Sequence, residues 1–356
     1  MSLAQLKIHN LRNIKSAHLE LHPQINLISG SNGSGKTSLL EAIYLLGSGH
    51  SFRTREILPL VSQGEDALTV FARTNDEQSI SIQKSLNLPT QVRLNTLACH
   101  SSSELARFLP CQVFYQDIFQ IIDAGPSVRR NVMDWGLFHV KQDYHALWKN
   151  FKRALKQRNA LLKQKALPRD LSPWNHLLAD LSIQLHEARE SYFLKLGPEF
   201  EKTLQELTNF HCSLSYYKGW DKRNSGKSLI TILEESYQAD VTRQFTHYGA
   251  HQADLYVISS DFNAKQYLSR GQQKILLFAL KIAQAKLVTT PCVYLCDDLT
   301  SELDKEHIGR LLNVICRLEG QFFITSTLSM QAIHNFNNTS HSFSLEDGNV
   351  KVLPGI

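Results

Sequence analysis

Six cysteines in 356 residues, at 99, 111, 212, 292, 296 and 316, form no Cys-x-x-Cys pair and no spacing of a disulfide framework. They read as reduced core thiols. Cys292 and Cys296 share one side of an expected strand, but no nearby histidine completes a metal set. No apolar run approaches the roughly 18 to 20 residues that cross a bilayer. Met1 to Glu20 alternates polar and apolar residues where a signal peptide would carry an unbroken apolar stretch. No membrane partner is expected, and the expected compartment is the cytoplasm. Tandem repeats and low-complexity tracts are also missing. With 42% hydrophobic and 20% charged residues, the disordered and collagen-like classes are excluded. The chain has 38 Lys+Arg against 33 Asp+Glu, a formal net charge of +5. That balance is uneven, because residues 144 to 169 contain no acid at all.

The length suits about two domains at roughly 150 residues each. Up to about residue 100, alternation and β-branched runs predict strands at Leu3–Ile8, Ser16–Leu21, Ile25–Ser29, Leu68–Arg73, Ser79–Lys84 and Gln91–Leu94. A helix from Gly35 to Leu46 interrupts them. From Val128 to about Leu207 the period becomes helical. Leu147, Phe151, Leu155, Arg158 and Leu162 fall three or four apart, as do Leu178, Leu181, Leu185, Ala188, Tyr192 and Leu196. Pro168 and Pro173 divide these into a hairpin of two helices, with Ser172 as the expected cap and Pro173 as first helical residue of the second. Beyond Thr246, strand and helix alternate again: helix Gln272–Leu287, strand Cys292–Cys296, helix Glu306–Leu318, strand Gln321–Thr325. An α/β domain split by a helical insertion results, with bounds 1–125 and 246–356 around 126–245.

Gly30-Ser31-Asn32-Gly33-Ser34-Gly35-Lys36-Thr37 matches G-x-x-x-x-G-K-[ST] and lies between a strand and a helix, the context that the motif requires. Its glycines let successive N–H groups turn inward on phosphate oxygens, and the helix N-terminus adds its dipole. Lys36 is the expected partner of the β- and γ-phosphates of ATP, and Thr37 of a Mg²⁺ ion. The run Val293-Tyr-Leu-Cys-Asp297-Asp298 places two carboxylates at the end of a buried strand. Asp297 is the metal candidate and Asp298 the candidate for polarising the attacking water.

Tyr267-Leu-Ser-Arg-Gly-Gln-Gln-Lys274 opens an apolar helix and resembles the L-S-G-G-Q signature of ABC-type ATPases. In that family the signature closes on the nucleotide held by a second subunit. The resemblance therefore implies an ATP-dependent head-to-tail homodimer, with Ser269, Gly271 and Gln272 completing the partner's site. Ser301-Glu-Leu-Asp304 matches the family's D-loop. Several further features narrow the match: Leu11-Arg-Asn-Ile14, Gly125-Pro126 before Arg129-Arg130, and Gly249 and His251 before Asp254. In this order they resemble the RecF family of bacterial recombination-repair ATPases over nearly the whole chain. That resemblance implies a P-loop ABC-type ATPase head with an inserted α-helical lobe, with Arg12 and Asn13 added to the nucleotide contacts. It also implies a protein of replication-fork maintenance and recombinational repair whose partners are RecR, RecO and RecA, with a role in SOS induction. The γ-phosphate-sensing position departs from the family pattern: Phe114-Tyr-Gln-Asp117 leaves Gln116, as a metal-side contact, or Asp117 to serve it. Phe323-Ile-Thr-Ser-Thr327 has no switch histidine, which suggests slow hydrolysis, and with the resemblance this implies a weak, DNA-stimulated ATPase used as a switch. An SMC-like chromosome-organising head and a transporter ATPase are the rival readings. The first needs a long heptad arm, and the second a signature much nearer the P-loop.

In the acid-free segment, Lys149, Lys152, Arg153, Lys156 and Lys163 recur at three- and four-residue spacing on one side of a helix. Such a stripe suits the phosphate backbone of DNA, gapped, single-stranded or duplex, read by charge and shape and not by sequence. A solvated helix face would look the same. Arg129 and Arg130 belong either to that surface or to internal pairs, and His251 either packs or serves the nucleotide.

Overall fold

The computed structural model describes residues 2–114, 125–259, 262–263, 268–301, 303–327 and 340–353. The chain divides into two compact units. One comprises Met1–Asp117 with Thr290–Ile356, the other Ile118–Thr289.

The first unit holds two six-stranded sheets. One is antiparallel, from Leu3–Leu11 and Ile14–Glu20 through Ala67–Thr74, Ser79–Ser85 and Gln91–Leu94 to the short edge pair at Leu97–Ala98. Its strands alternate buried and open positions, as one-sided sheets do. The other sheet is mostly parallel. Ile25–Gly30 lies between Ser340–Glu346 and Gln321–Ser326; then follow Val293–Cys296 and Cys111–Phe114, with Asn349–Leu353 antiparallel at the far edge. Val293–Cys296 and Gln321–Ser326 are buried at every position, as strands covered on both faces must be. Helix Lys36–Ser48 shares one core with both sheets through Leu39, Leu40, Ile43 and Leu46. Gln321 links the two sheets: its side chain exchanges two 2.8 Å hydrogen bonds with the backbone of Leu3 and donates a third to His22 O.

The second unit contains helices Pro126–Val140, Tyr144–Lys163, Pro168–Leu207, Leu229–Glu235, Tyr237–Arg243 and Arg270–Leu287. It also has a small sheet of Ser213–Tyr217, Asp254–Ser259 and Phe262–Asn263. The insertion is therefore not purely helical, and it takes residues 246–289, which the return of strand-helix alternation had assigned to the other unit. Its cause lies in Arg270–Leu287, which buries Ile275 through Leu280 almost without a break. A helix apolar on so much of its surface needs cover on several sides. The long helix Pro168–Leu207 covers one side, with Lys286 paired to Glu199 at 2.9 Å, and helix Pro126–Val140 another, with Gln284 donating to Val132 O at 2.6 Å.

The helical hairpin also differs from expectation. The second helix starts at Pro168, with Leu167 as its extended N-cap, and runs through Pro173 and Pro198 for 40 residues. Each internal proline removes one backbone bond, to the carbonyls of Arg169 and Leu194. Both prolines and both of these residues are exposed, so water can satisfy the freed carbonyls and the helix continues. Among the described residues no helix is long and apolar enough to cross a membrane.

Candidate functional site

Parallel pairing brings the chemistry of the first unit to one sheet edge. Ser29 lies opposite Ser326, and Cys296 opposite Ile324, so the loop after Ile25–Gly30, Thr325 and Asp297 all emerge at the carboxyl ends of adjacent strands. The loop then turns through Gly33 at φ 81° and Gly35 at φ 113°, backbone angles that glycine adopts without strain. A Cβ on Gly35 would stand 3.1 Å from the Asn13 amide. Ser31, Asn32 and Gly33 form an open rim, while Ser34, Gly35 and Lys36 are buried.

Lys36 Nζ donates to Gly30 O at 2.7 Å and to Ser31 O at 2.8 Å, so the ammonium is held inside the loop's own curve. Burial lowers its pKa, and the nearby Asp298 and Asp297 carboxylates oppose that shift. The Thr37 hydroxyl lies 3.1 and 3.0 Å from the two carboxylate oxygens of Asp297, across 260 residues of sequence. Burial raises the Asp297 pKa, against hydrogen bonds from Thr325 and Thr37. Asp298 follows in the left-handed region at φ 47°, its N–H held by Thr325 Oγ1 at 2.7 Å. Thr325 also donates to Asp297 Oδ1 at 2.8 Å. It thus orients both aspartates, a role that the sequence reading did not assign. The signal was the hydroxyl run Thr325-Ser326-Thr327 ending a buried parallel strand.

These residues suit a metal-bound phosphate ester. No side chain caps helix Lys36–Ser48 at its N-terminus, and its first turn carries no acid, which leaves N–H groups and positive dipole facing the loop. The buried Ser34 hydroxyl has no hydrogen-bond partner among the described residues. Thr37 and Asp297 offer hard oxygen donors at one point, the chemistry that Mg²⁺ takes.

Two expected nucleotide contacts also brace the loop and its helix. Arg12 forms a bidentate pair with buried Glu41 at 2.8 and 2.9 Å and donates to Pro59 O at 2.9 Å. The bonds to Glu41 tie its guanidinium to the loop helix. Asn13 donates to Gly33 O at 3.1 Å and accepts from Ser38 at 3.2 Å, bracing loop against helix. Gln116 and Asp117 lie outside the described residues.

In the second unit, Ser269 caps helix Arg270–Leu287 by accepting from the Gln272 N–H. In return the Ser269 N–H donates to Gln272 Oε1 at 2.9 Å. Ser269 is exposed and Gly271 half-exposed. On helix Tyr144–Lys163, Lys149, Lys152, Arg153, Lys156 and Lys163 are all exposed. The interior face carries Tyr144, Phe151, Ala154 and Leu162, and with them the fully buried Arg158. Arg158 donates to Asn175, Asp240 and Thr246, each at 2.7 Å. Arg129 and Arg130 are internal: Arg129 grips Asp254 at 2.7 and 2.9 Å, and Arg130 donates to Ala253 O at 2.8 Å. His251 packs, with Nε2 2.9 Å from Thr246 O and its ring 6.1 Å from that of Phe151; burial pushes its pKa down to about 4.

Comparison with known proteins places the geometry in context. A family model described as the RecF/RecN/SMC N-terminal domain matches residues 2–351. A protein of Cellvibrio japonicus named DNA replication and repair protein RecF is 41% identical, covering 91% of both chains. One of the same name from a Marinomonas species is 37% identical over 99% of this chain and 98% of its own. Among solved structures, the recombination mediator protein RecF with ATP, of the RecFOR pathway, superposes with a TM-score of 0.82 at 28% identity, covering 99% of this chain and 98% of that one. An Smc head bound to the C-terminal winged-helix domain of ScpA shares the fold, with a TM-score of 0.64 at 17% identity over 99% of this chain and 97% of its own.

Proposed function

This chain belongs to the RecF family, and on that premise we propose that it is an ATP-switched DNA-binding protein of replication and recombinational repair. The carrying observation is the meeting of Thr37 and Asp297 at 3.0 Å beside the buried Lys36. A hydroxyl, a carboxylate and an ammonium gathered at an uncapped helix N-terminus make a site for a triphosphate with its cation. Thr37 and Asp297 would hold Mg²⁺, which supplies charge neutralisation between the phosphates. Lys36 binds the β- and γ-phosphates. Thr325 keeps Asp297 turned toward Thr37 and fixes the backbone of Asp298, which polarises the attacking water.

Ser269, with the N-terminus of Arg270–Leu287 behind it, is exposed and lies in the other unit. We assign it to the γ-phosphate of a second copy, so that binding of two ATP molecules closes a head-to-tail homodimer on DNA. Weak hydrolysis then releases the pair. Lys149, Lys152, Arg153, Lys156 and Lys163 supply backbone contacts with no base sequence to read. Partners in the RecFOR pathway, RecO and RecR, with RecA loaded downstream, follow from the family.

The test is DNA binding to gapped, duplex and single-stranded substrates, with and without ATP, at two salt concentrations, together with sedimentation of wild type and Ser269→Arg. ATP should drive wild type to a dimer and strengthen a salt-sensitive DNA complex; Ser269→Arg should bind ATP and stay monomeric. A normal ATP-dependent dimer of Ser269→Arg would remove the second-copy assignment. Absent or salt-insensitive DNA binding would remove the DNA reading.

A further inference from the structure

Helices Pro126–Val140 and Tyr144–Lys163 carry aromatic rings outside the core that they pack into. Their interior faces are filled by Val132, Met133, Leu137, Tyr144 and Phe151, all buried. Outside that core, five further rings are half-exposed: Trp135, Phe138, His139, His145 and Trp148. Three ring contacts connect four of them. The centroids of Trp135 and His139 are 4.6 Å apart; Phe138 lies edge-on to His139 at 5.0 Å and to His145 at 5.4 Å. Trp148 follows His145 by three positions, one helical turn. The Lys152 ammonium sits over the Trp148 ring, 5.1 Å from its centroid.

The charges around this ledge are mostly positive, and Asp134 beside Trp135 is paired with Arg189. From residue 135 to 169 the chain has a single acid, Asp143, while Lys141, Lys149, Lys152, Arg153 and Lys156 are exposed. His145, Trp148, Lys152 and Lys156 succeed one another at three- and four-residue steps, so rings pass into cations along one line of the helix.

We propose that this ledge is a stacking platform for the bases of unpaired DNA, whose phosphates continue along Lys149, Lys152, Arg153 and Lys156. The proposal rests on the DNA reading above and deepens it by naming the strand state that this surface selects. In duplex DNA the base faces are covered by their neighbours, and only edges are open in the grooves. A single strand can splay its bases onto aromatic faces while cations neutralise its backbone. Such stacking tolerates any base, in keeping with a stripe that reads no sequence.

The experiment titrates the full-length protein, with and without ATP, against three labelled probes of equal length: oligothymidylate, an abasic oligonucleotide with the same phosphates, and a duplex. Wild type should bind oligothymidylate about 5- to 100-fold more tightly than the abasic strand, with quenching of tryptophan emission by the first alone. Trp148→Leu and Trp135→Leu should lose that preference yet keep wild-type affinity for the abasic strand and the duplex; Trp148→Phe should keep most of it. Thermal melts identify any variant with a damaged fold, and the wild-type comparison needs no variant at all. Equal affinity of wild type for the base-bearing and abasic strands overturns the platform, as does an unchanged preference in folded Trp148→Leu and Trp135→Leu. A protein that binds duplex but shows no base preference loses only the ledge. One that binds none of the three loses the DNA reading itself.

Discussion

The loop at Gly30–Thr37 and the basic helix at Tyr144–Lys163 are both read as holding phosphate, and they are built on opposite plans. Around the loop a few groups are buried and cross-braced: Lys36 by loop carbonyls, Asp297 by Thr37 and Thr325, the loop itself by Asn13. Each has one geometry. On the helix the cations are exposed on flexible stems, and none has its position fixed by a carboxylate on its own segment. The buried plan concentrates free energy in single residues, whereas the exposed plan spreads it over many. A substitution should therefore act as a switch at the first and as a dial at the second.

The sharpest contrast lies within the helix itself. Arg158 is fully buried and pairs with buried Asp240, whereas Lys156, two residues earlier, is exposed. Arg158→Ala leaves Asp240 without its cation and should cost about 3–5 kcal/mol in urea unfolding. Lys156→Ala should change stability by less than about 0.5 kcal/mol. Similar midpoints for the two variants would break the distinction between buried and exposed charge. Next in size is Lys36→Ala, which removes charge-assisted bonds to phosphate worth about 3 kcal/mol. The expected outcome is a roughly 100-fold weaker binding of a fluorescent ATP analogue with an unchanged thermal midpoint. A loss of threefold or less would remove Lys36 from the site.

The buried plan was the more legible in sequence. A glycine-lysine-threonine loop between strand and helix, and an apolar strand ending in two aspartates, carry their geometry in local spacing. Parallel strands then bring them together. The bracing of Arg12 and the role of Thr325 were not legible for one reason: their partners are Glu41, Asp297 and Asp298, and only tertiary structure shows that a motif arginine is braced by a helix carboxylate or that a strand-end threonine faces one. The strands Ser213–Tyr217 and Asp254–Ser259 were illegible in a different way, since they pair with each other over some forty residues of intervening chain. Pro173 misled because the Arg169 carbonyl that it frees is exposed to water, which relieves one part of the cost of proline inside a helix and lets the helix continue.

On the exposed plan, contributions should add. Changing Lys149, Lys152 and Lys156 to Gln one at a time should weaken duplex binding several-fold each at moderate salt. Each should also lower the slope of log affinity against log salt by about 0.9 per lost phosphate contact. Anisotropy titrations over a salt series read both. A single variant that abolishes binding, or three that leave the slope unchanged, would show that the helix is not a distributed charge surface.

The smallest expected effect runs against the usual direction of mutation. Burial lifts the Asp297 pKa above its ordinary 3.8, so the folded chain holds that proton more tightly than the unfolded chain does. Its contribution to stability is greatest when the carboxyl is protonated and is lost as pH rises through the raised folded-state value. Above that value the ionised carboxylate is a net cost in the nucleotide-free protein. Asp297→Asn should melt slightly higher than wild type at pH 7, and the difference should close as pH falls toward 3.8. With ATP and Mg²⁺ the order should reverse, because ligand binding stabilises wild type and not the variant. A variant that melts lower without nucleotide at pH 7 would show that hydrogen bonds from Thr37 and Thr325 outweigh burial at this carboxylate. The site would then be held together by Asp297 itself and not poised, at some cost, for a cation.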